Sequence, residues 1–244
     1  MLYVQPVKGL SVDDCHFYHT VDVPGVGEVV GDWDLRPQTA DMLGRVDFQG
    51  QRVLEIGPAS GYLTYWMERA GADVTSIELP DDPGWDFVPY PDGVLAPIMP
   101  DRRRIMTRLK NSYWFMHEAF GSQAKLVYGD ACKLDDGLGE FDIAVLANVL
   151  LHTENPVRII QECAKRSRKI ILCEMHYPEL EGQAVCRLVP TAENQTWDTW
   201  WNFSSDFFAQ YLKVLGYNDI KLSLSEHEHM KSRMYTTFTV VASR

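Results

Sequence analysis

An α/β fold built on a doubly wound, mostly parallel sheet of seven strands is predicted by three features of this 244-residue sequence. Short apolar runs rich in β-branched residues alternate with stretches of helical periodicity from residue 52 to residue 173. Residues 219–242 instead carry two segments of period-two alternation, the mark of half-exposed strands that pair antiparallel at a sheet edge. No internal repeat or low-complexity tract competes with this reading.

The five apolar runs are Arg52–Ile56, Asp73–Glu78, Lys125–Tyr128, Asp142–Ala147 and Lys169–Cys173, each reading as a buried parallel strand. Helical patterns fall between them. Gly61–Ala70 places Leu63, Trp66, Met67 and Ala70 at helical spacing and stops at Gly71. Arg103–Phe120 sets Ile105, Leu109, Met116 and Phe120 on one stripe and stops at Gly121. Pro156–Ser167 opens with proline in its first turn and links the fourth and fifth strands. Ser204-Ser205-Asp206 is a helix start, Phe207–Leu215 an apolar-faced helix, and Asp219–Ser225 and Tyr235–Ala242 form the edge hairpin.

Two segments break the alternation. Leu79–Asp101 holds six of the 13 prolines together with Trp85, Phe87 and Tyr90, so it reads as an ordered insertion. His176–Phe203, with Trp197, Trp200 and Trp201, reads as a cap. Both leave carboxyl ends of strands, the side on which open α/β sheets bind ligands. The expected organisation is one domain over residues 1–244: an N-terminal lid or extension (1–49), a cofactor-binding core (50–175) with the 79–101 insertion, the cap (176–203), and a C-terminal helix and hairpin (204–244).

Composition bounds the partners. With 34 acidic against 23 basic side chains the formal net charge is −11, which repels a phosphate backbone and disfavours nucleic acid. The one local basic cluster, Arg102, Arg103, Arg104, Arg108 and Lys110, reads as a solvated helix face. No apolar run approaches the ~20 residues that span a bilayer, and no leader pattern opens the chain, so a cytoplasmic protein is expected. The five cysteines contain no CxxC pair and read as free thiols.

The stretch Val53-Leu54-Glu55-Ile56-Gly57-Pro58-Ala59-Ser60-Gly61 runs a strand through a glycine-bearing turn into a helix. Such a turn lets backbone approach a ligand closely. A nicotinamide dinucleotide site would set these amides against a pyrophosphate and would carry the second glycine of GxGxxG, which is absent. Glu55, two positions before Gly57, would repel a pyrophosphate but suits a sulfonium and an amino group. Glu55, Gly57, Pro58, Ala59 and Gly61 are therefore the candidate cofactor loop.

These residues resemble the first motif of the class I S-adenosylmethionine-dependent methyltransferases, an acid-x-Gly-x-Gly-x-Gly run. Glu55, Gly57 and Gly61 match, Ala59 stands at the middle glycine, and Pro58 departs. The resemblance implies a Rossmann-like sheet, S-adenosyl-L-methionine as cofactor, and methyl transfer. Glu78, 21 positions after Gly57 and followed by Leu79, matches the acid that binds both ribose hydroxyls. Asp130, followed by Ala131, matches the acceptor of the adenine amino group's hydrogen bond, and Asn148 falls where the family faces the methionine moiety.

A narrower likeness runs through Phe17–Pro24, Asn148–His152, Leu188–Pro190 and Trp200–Leu212, which look like the bacterial transferases that carboxymethylate wobble uridine in tRNA. Those enzymes carry tyrosine where Leu151 stands and use it to hold the extra carboxylate of carboxy-S-adenosylmethionine. Leu151, and an N-terminus without a basic region, point to the ordinary cofactor and a small-molecule acceptor. Transfer to tRNA and a non-catalytic cofactor-binding module remain as alternatives.

Methyl transfer to a hydroxyl needs alignment, exclusion of water and a base near neutrality, and no metal. His152, just past the fourth strand, and His176, just past the fifth, are the candidate bases, with helix capping as the alternative role of His152. Trp85, Tyr90, Trp197, Trp200 and Trp201 are candidate walls of an acceptor pocket or, equally, the core beneath two long loops. Tyr18, His19 and Trp33 are candidates for a lid over the cofactor. Glu226-His227-Glu228-His229 has metal-ligand residue types but reads as a solvated turn between the edge strands.

Overall fold

The apolar runs in the middle of the chain leave no polar face for water, and they pair side by side at the centre of one sheet. The computed structural model describes residues 3–80, 86–91 and 93–244. In chain order its elements are β1 (Val21–Val23), β2 (Gly27–Val29), β3 (Trp33–Asp34), α1 (Thr39–Met42), β4 (Arg52–Ile56), α2 (Tyr62–Arg69), β5 (Asp73–Glu78), α3 (Met99–Phe120) and β6 (Lys125–Tyr128). There follow β7 (Phe141–Ala147), α4 (Pro156–Ala164), β8 (Ser167–Met175), β9 (Cys186–Leu188), β10 (Trp201–Phe203), α5 (Ser205–Val214), β11 (Asp219–His229) and β12 (Arg233–Ser243).

The main sheet runs β3-β11-β12-β8-β7-β4-β5-β6. Strands β8, β7, β4, β5 and β6 are parallel, with β6 at the sheet edge, and β12 turns the direction against β8. Alternate residues serve opposite faces, as the pleat requires. Val53, Ile143, Val145 and Ile171 enter the core that packs α2 and α3, while Leu54, Ala144, Leu146 and Leu172 enter the core that packs α4 and α5. Helix ends follow local chemistry: the Ser204 hydroxyl accepts from the Phe207 amide at 3.1 Å, and α3 stops at Gly121 with φ 61°.

The chain moves outward from β4 through β5 to β6, then returns to place β7 on the other side of β4. The carboxyl ends of β4 and β7 therefore flank the switch in strand order where ligands bind in such sheets.

Several expectations are corrected. Among the described residues the sheet has eight strands rather than seven, because Trp33–Asp34 of the N-terminal segment pairs with His229 and Glu228 and covers part of the hairpin's outer edge. Residues 226–229 are not a solvated turn: they belong to β11, and His227 is 1% exposed with its Nε2 2.9 Å from the Ser225 hydroxyl. Helix α3 begins at Met99, so the insertion ends earlier than composition suggested. The basic cluster on α3 is not simply solvated, since Arg108 donates to the Cys15 carbonyl at 2.6 Å and Lys110 is 7% exposed. Among the described residues no helix is long and apolar enough to cross a membrane.

Candidate active site

The turn after β4 is built on left-handed backbone: φ is 73° at Gly57, 51° at Ala59 and 88° at Gly61. A Cβ on Gly57 would stand 2.8 Å from Cγ2 of Val149, and one on Gly61 2.5 Å from Cε2 of Tyr65, so both glycines are dictated by close approach as well as by φ. The Gly57 amide donates to the Ile77 carbonyl at 2.9 Å, and the Gly61 amide to the carbonyl of buried Pro58 at 2.8 Å. Ala59 holds a conformation that glycine adopts freely and alanine does not, which is the physical meaning of its departure from the motif.

Glu55 stands differently from the expectation that it faces a cationic ligand. It is 3% exposed and lies beneath the turn, where Oε2 accepts from the Thr64 hydroxyl at 2.5 Å and the Ser76 hydroxyl at 2.7 Å. One carboxylate thus ties β4 to α2 and β5. Burial raises its pKa to about 7 against the help of those two hydroxyls. Side-chain direction decided this: a residue within a strand and covered by a helix faces the core, however near its backbone lies to the ligand.

Glu78 ends β5 half-buried, with Oε1 accepting from the Leu79 amide at 2.7 Å. Burial raises its pKa, opposed by that amide and by the Lys110 and Arg102 cations. The parallel register sets Glu78 beside Tyr128 at the end of β6, and the Lys110 ammonium lies 4.5 Å from the Tyr128 ring centroid. Asp130 is exposed just beyond, its Oδ1 accepting from the Cys132 amide at 2.7 Å, with Ala131 buried beside it.

Asn148 follows β7 at φ 49°, a value asparagine tolerates better than most residues. Its Oδ1 is buried and has no hydrogen-bond partner among the described residues. The turn it opens rests on a residue that sequence reasoning missed. Glu174, on β8 and 2% exposed, accepts from the Leu150 amide at 2.9 Å. Burial raises its pKa to about 8, opposed by the backbone amides of Leu150, Leu151 and Val149. A glutamate near the end of an apolar strand was the available signal.

His152 closes that turn. Its Nδ1 lies 2.5 Å from the Asp198 carbonyl, which can only accept, so Nδ1 carries the proton and the neutral ring presents Nε2 as a base. Its outer edge is exposed, yet the protein packed around the ring and the Arg102 charge lower its pKa, against the pull of Asp198. His176 has a different partner: its Nε2 is 3.2 Å from a Glu181 carboxylate oxygen, so its Nδ1 and not its Nε2 would be the nitrogen left to accept a proton.

The insertion and the cap are knitted together over this edge. Trp200 donates Nε1–H to the Asp86 carbonyl at 2.6 Å, Val88 donates to the Trp197 carbonyl at 3.0 Å, and Asp86 Oδ2 accepts from the Thr153 hydroxyl at 2.7 Å. Trp201 donates Nε1–H to the Thr153 carbonyl at 3.0 Å. The Tyr90 hydroxyl, 3.0 Å from the Thr191 carbonyl and 3.1 Å from that of Thr196, braces the cap from outside. Trp85 lies outside the described residues. Arg102, absent from the sequence-based site, sits with its guanidinium carbon 5.5 Å from the Trp197 ring centroid.

Of the three lid candidates, His19 is buried with Nδ1 3.4 Å from the Ser60 hydroxyl, at the glycine turn. Trp33 is instead part of β3, with its ring 4.5 Å from that of His229. Tyr18 stays half-buried within reach of the charges of Arg102 and Asp198. Two surface cavities, of about 440 Å³ beside the N-terminal strap and about 300 Å³ beside Arg36, share none of the strand-end residues described above.

Residues 34–222 match the family described as methyltransferase domain. The chain belongs to the class I S-adenosylmethionine-dependent methyltransferases. A sequence comparison with curated proteins found no match for this methyltransferase. Its fold is shared with solved structures of low identity. The N-terminal domain of EvdMO1, crystallised in the presence of SAH and D-fucose, is 19% identical with a TM-score of 0.59, covering 93% of this chain and 91% of that one. Magnesium protoporphyrin IX methyltransferase (ChlM) from Synechocystis PCC 6803 with bound SAH is 16% identical, TM-score 0.54, covering 86% and 81%. The 1,6-didemethyltoxoflavin-N1-methyltransferase of Burkholderia thailandensis, with 1,6-didemethyltoxoflavin and S-adenosylhomocysteine, is 16% identical, TM-score 0.52, covering 86% and 77%. The residues at the strand ends fit the cofactor: a left-handed backbone cradle, a half-buried carboxylate on β5, and an unpartnered buried amide oxygen on Asn148.

Proposed function

We propose that this methyltransferase O-methylates a small hydroxylated molecule, with His152 as general base. The observation that carries the reading is the hydrogen bond from His152 Nδ1 to the Asp198 carbonyl, which leaves Nε2 as the proton acceptor beside the β7 turn. In this reading the Gly57–Gly61 turn, Leu79 and Asn148 hold the methionine and ribose portions, Glu78 takes the ribose hydroxyls, and Asp130 and Ala131 take the adenine. Trp197, Trp200 and Trp201 wall the acceptor, braced by Tyr90, and His176 is the second candidate base.

S-adenosylmethionine, when bound, supplies a methyl carbon made electrophilic by its sulfonium. His152 Nε2 would take the proton that the acceptor hydroxyl gives up as its oxygen is methylated. The chain's part is alignment, exclusion of water and acceptance of that proton. A net charge of −11 favours a small acceptor over a nucleic acid.

Titration with S-adenosylhomocysteine should show saturable binding, weakened about tenfold or more in Glu78→Ala by loss of a charge-assisted partner. Formation of S-adenosylhomocysteine against a panel of hydroxylated aromatic and sugar compounds should reveal turnover. Turnover should fall about 100-fold in His152→Ala with cofactor affinity unchanged. Unaltered turnover in that variant removes His152 as base, and binding to tRNA that weakens steeply with salt would replace the small acceptor.

A further inference from the structure

We infer that Arg102 anchors a carboxylate of the methyl acceptor, on an acceptor whose body is flat and apolar; this rests on the methyltransferase reading of the same cleft. Arg102 lies in the first turns of α3, and its cationic neighbours on that helix are spoken for. Arg104 pairs with Asp101 at 2.6 Å, Arg108 donates to the Cys15 carbonyl at 2.6 Å, and Lys110 packs on Tyr128. Arg102 differs. Its Nε is buried with no hydrogen-bond partner among the described residues, and its guanidinium carbon lies 5.5 Å from the Trp197 ring centroid.

The buried Nε–H is a donor that the described residues do not satisfy, and leaving it so is costly unless a ligand supplies the acceptor. Its position selects which ligand. Arg102 exerts its charge on Glu78 at the end of β5, on Tyr18 of the N-terminal segment and on His152 of the β7 turn, so it is within electrostatic reach of both the proposed ribose-binding acid and the proposed base. The aromatic walls beside it carry no free indole donors at Trp200 and Trp201, whose Nε1–H groups are engaged by the Asp86 and Thr153 carbonyls. Flat apolar surface next to a guanidinium whose Nε–H is unmet among the described residues fits a planar acid. A carboxylate matches the guanidinium fork with two parallel hydrogen bonds, whereas a phosphate dianion would meet one cation against Glu78 and an acidic surface.

Tryptophan fluorescence of the S-adenosylhomocysteine-loaded protein, titrated with benzoate and with its neutral isostere benzamide, tests this. Benzoate should bind about tenfold or more tightly than benzamide. Arg102→Gln should abolish the preference while leaving S-adenosylhomocysteine affinity within about threefold, and Arg102→Lys should keep part of it. Equal affinities, or no saturable benzoate signal up to about 50 mM, would overturn the inference. So would an Arg102→Gln protein that loses cofactor affinity but keeps the benzoate preference, since the guanidinium then belongs to the cofactor. If the wild-type protein itself fails to bind S-adenosylhomocysteine, the methyltransferase reading falls first and takes this one with it.

Discussion

The turns after β4 and after β7 lie on one edge of the sheet, and each is held from below by a buried glutamate. Each also forces one non-glycine residue into left-handed backbone, Ala59 at φ 51° and Asn148 at φ 49°. The difference lies in what the glutamate grips. Glu55 accepts from two side-chain hydroxyls, Thr64 and Ser76, so it fastens secondary-structure elements to one another and leaves the turn to its glycines. Glu174 accepts from the turn's own backbone at Leu150, so the loop that carries Asn148 and His152 takes its shape from a single carboxylate. One turn is a platform set by sterics; the other is set by a titratable group.

The largest effect that separates the two follows from pH. Burial raises both carboxyls above the ordinary 4.5, Glu55 to about 7 and Glu174 to about 8. From about pH 4.5 up to each raised pKa the native state therefore binds more protons than the unfolded chain, and stability falls as pH rises, by on the order of 6 kcal/mol from pH 5 to 9 for the two together. Urea unfolding across that range measures it, and Glu174→Gln should flatten the upper part of the slope. A stability that rises from pH 5 to 9 would show that both carboxylates are ionised in the native state.

Next in size is the comparison of amide substitutions at pH 6. Glutamine at 174 turns an NH2 toward backbone amides that need acceptors and should cost about 2 kcal/mol. Glutamine at 55 meets hydroxyls that reorient, and should cost under about 1 kcal/mol. Equal costs would erase the distinction between the turns.

At Asn148, alanine should lose about 1 kcal/mol through left-handed strain, whereas glycine should keep stability while still removing the side chain. If both variants lose S-adenosylhomocysteine affinity to the same extent, the side chain and not the turn's shape does the binding. The smallest effect belongs to Ala59→Gly, which relieves strain but loosens the unfolded chain, for a net gain of about 0.5 kcal/mol in thermal unfolding. A loss at that site would mean that the methyl group packs against something the φ value does not reveal.

Much of this was legible before the structure. The strands Arg52–Ile56, Asp73–Glu78 and Lys125–Tyr128 begin and end where their apolar runs do, because strands buried on both faces are dominated by apolar residues and admit a polar one only where it finds a partner, as Glu55 and Ser76 do. The glycine turn was legible because Gly57 and Gly61 admit no side chain. The Glu226–His229 segment was misread because polar residues on β11 pack against a polar network with Ser225 and Thr237, and hydrophobic periodicity does not register such partners. The Trp33–Asp34 strand was missed because two residues carry no period at all.

Local sequence, through apolar alternation, glycines at crowded positive-φ sites and acids at strand ends, determined the sheet, its direction of winding and the edge on which the cofactor loop lies. Tertiary structure alone decided which way Glu55 points, that Glu174 supports the β7 turn, which nitrogen of His152 carries the proton, and that the buried Arg102 Nε has no hydrogen-bond partner among the described residues. Each of those depends on a partner far away in the chain, and a hydrogen bond or a burial cost exists only once folding has brought the two together.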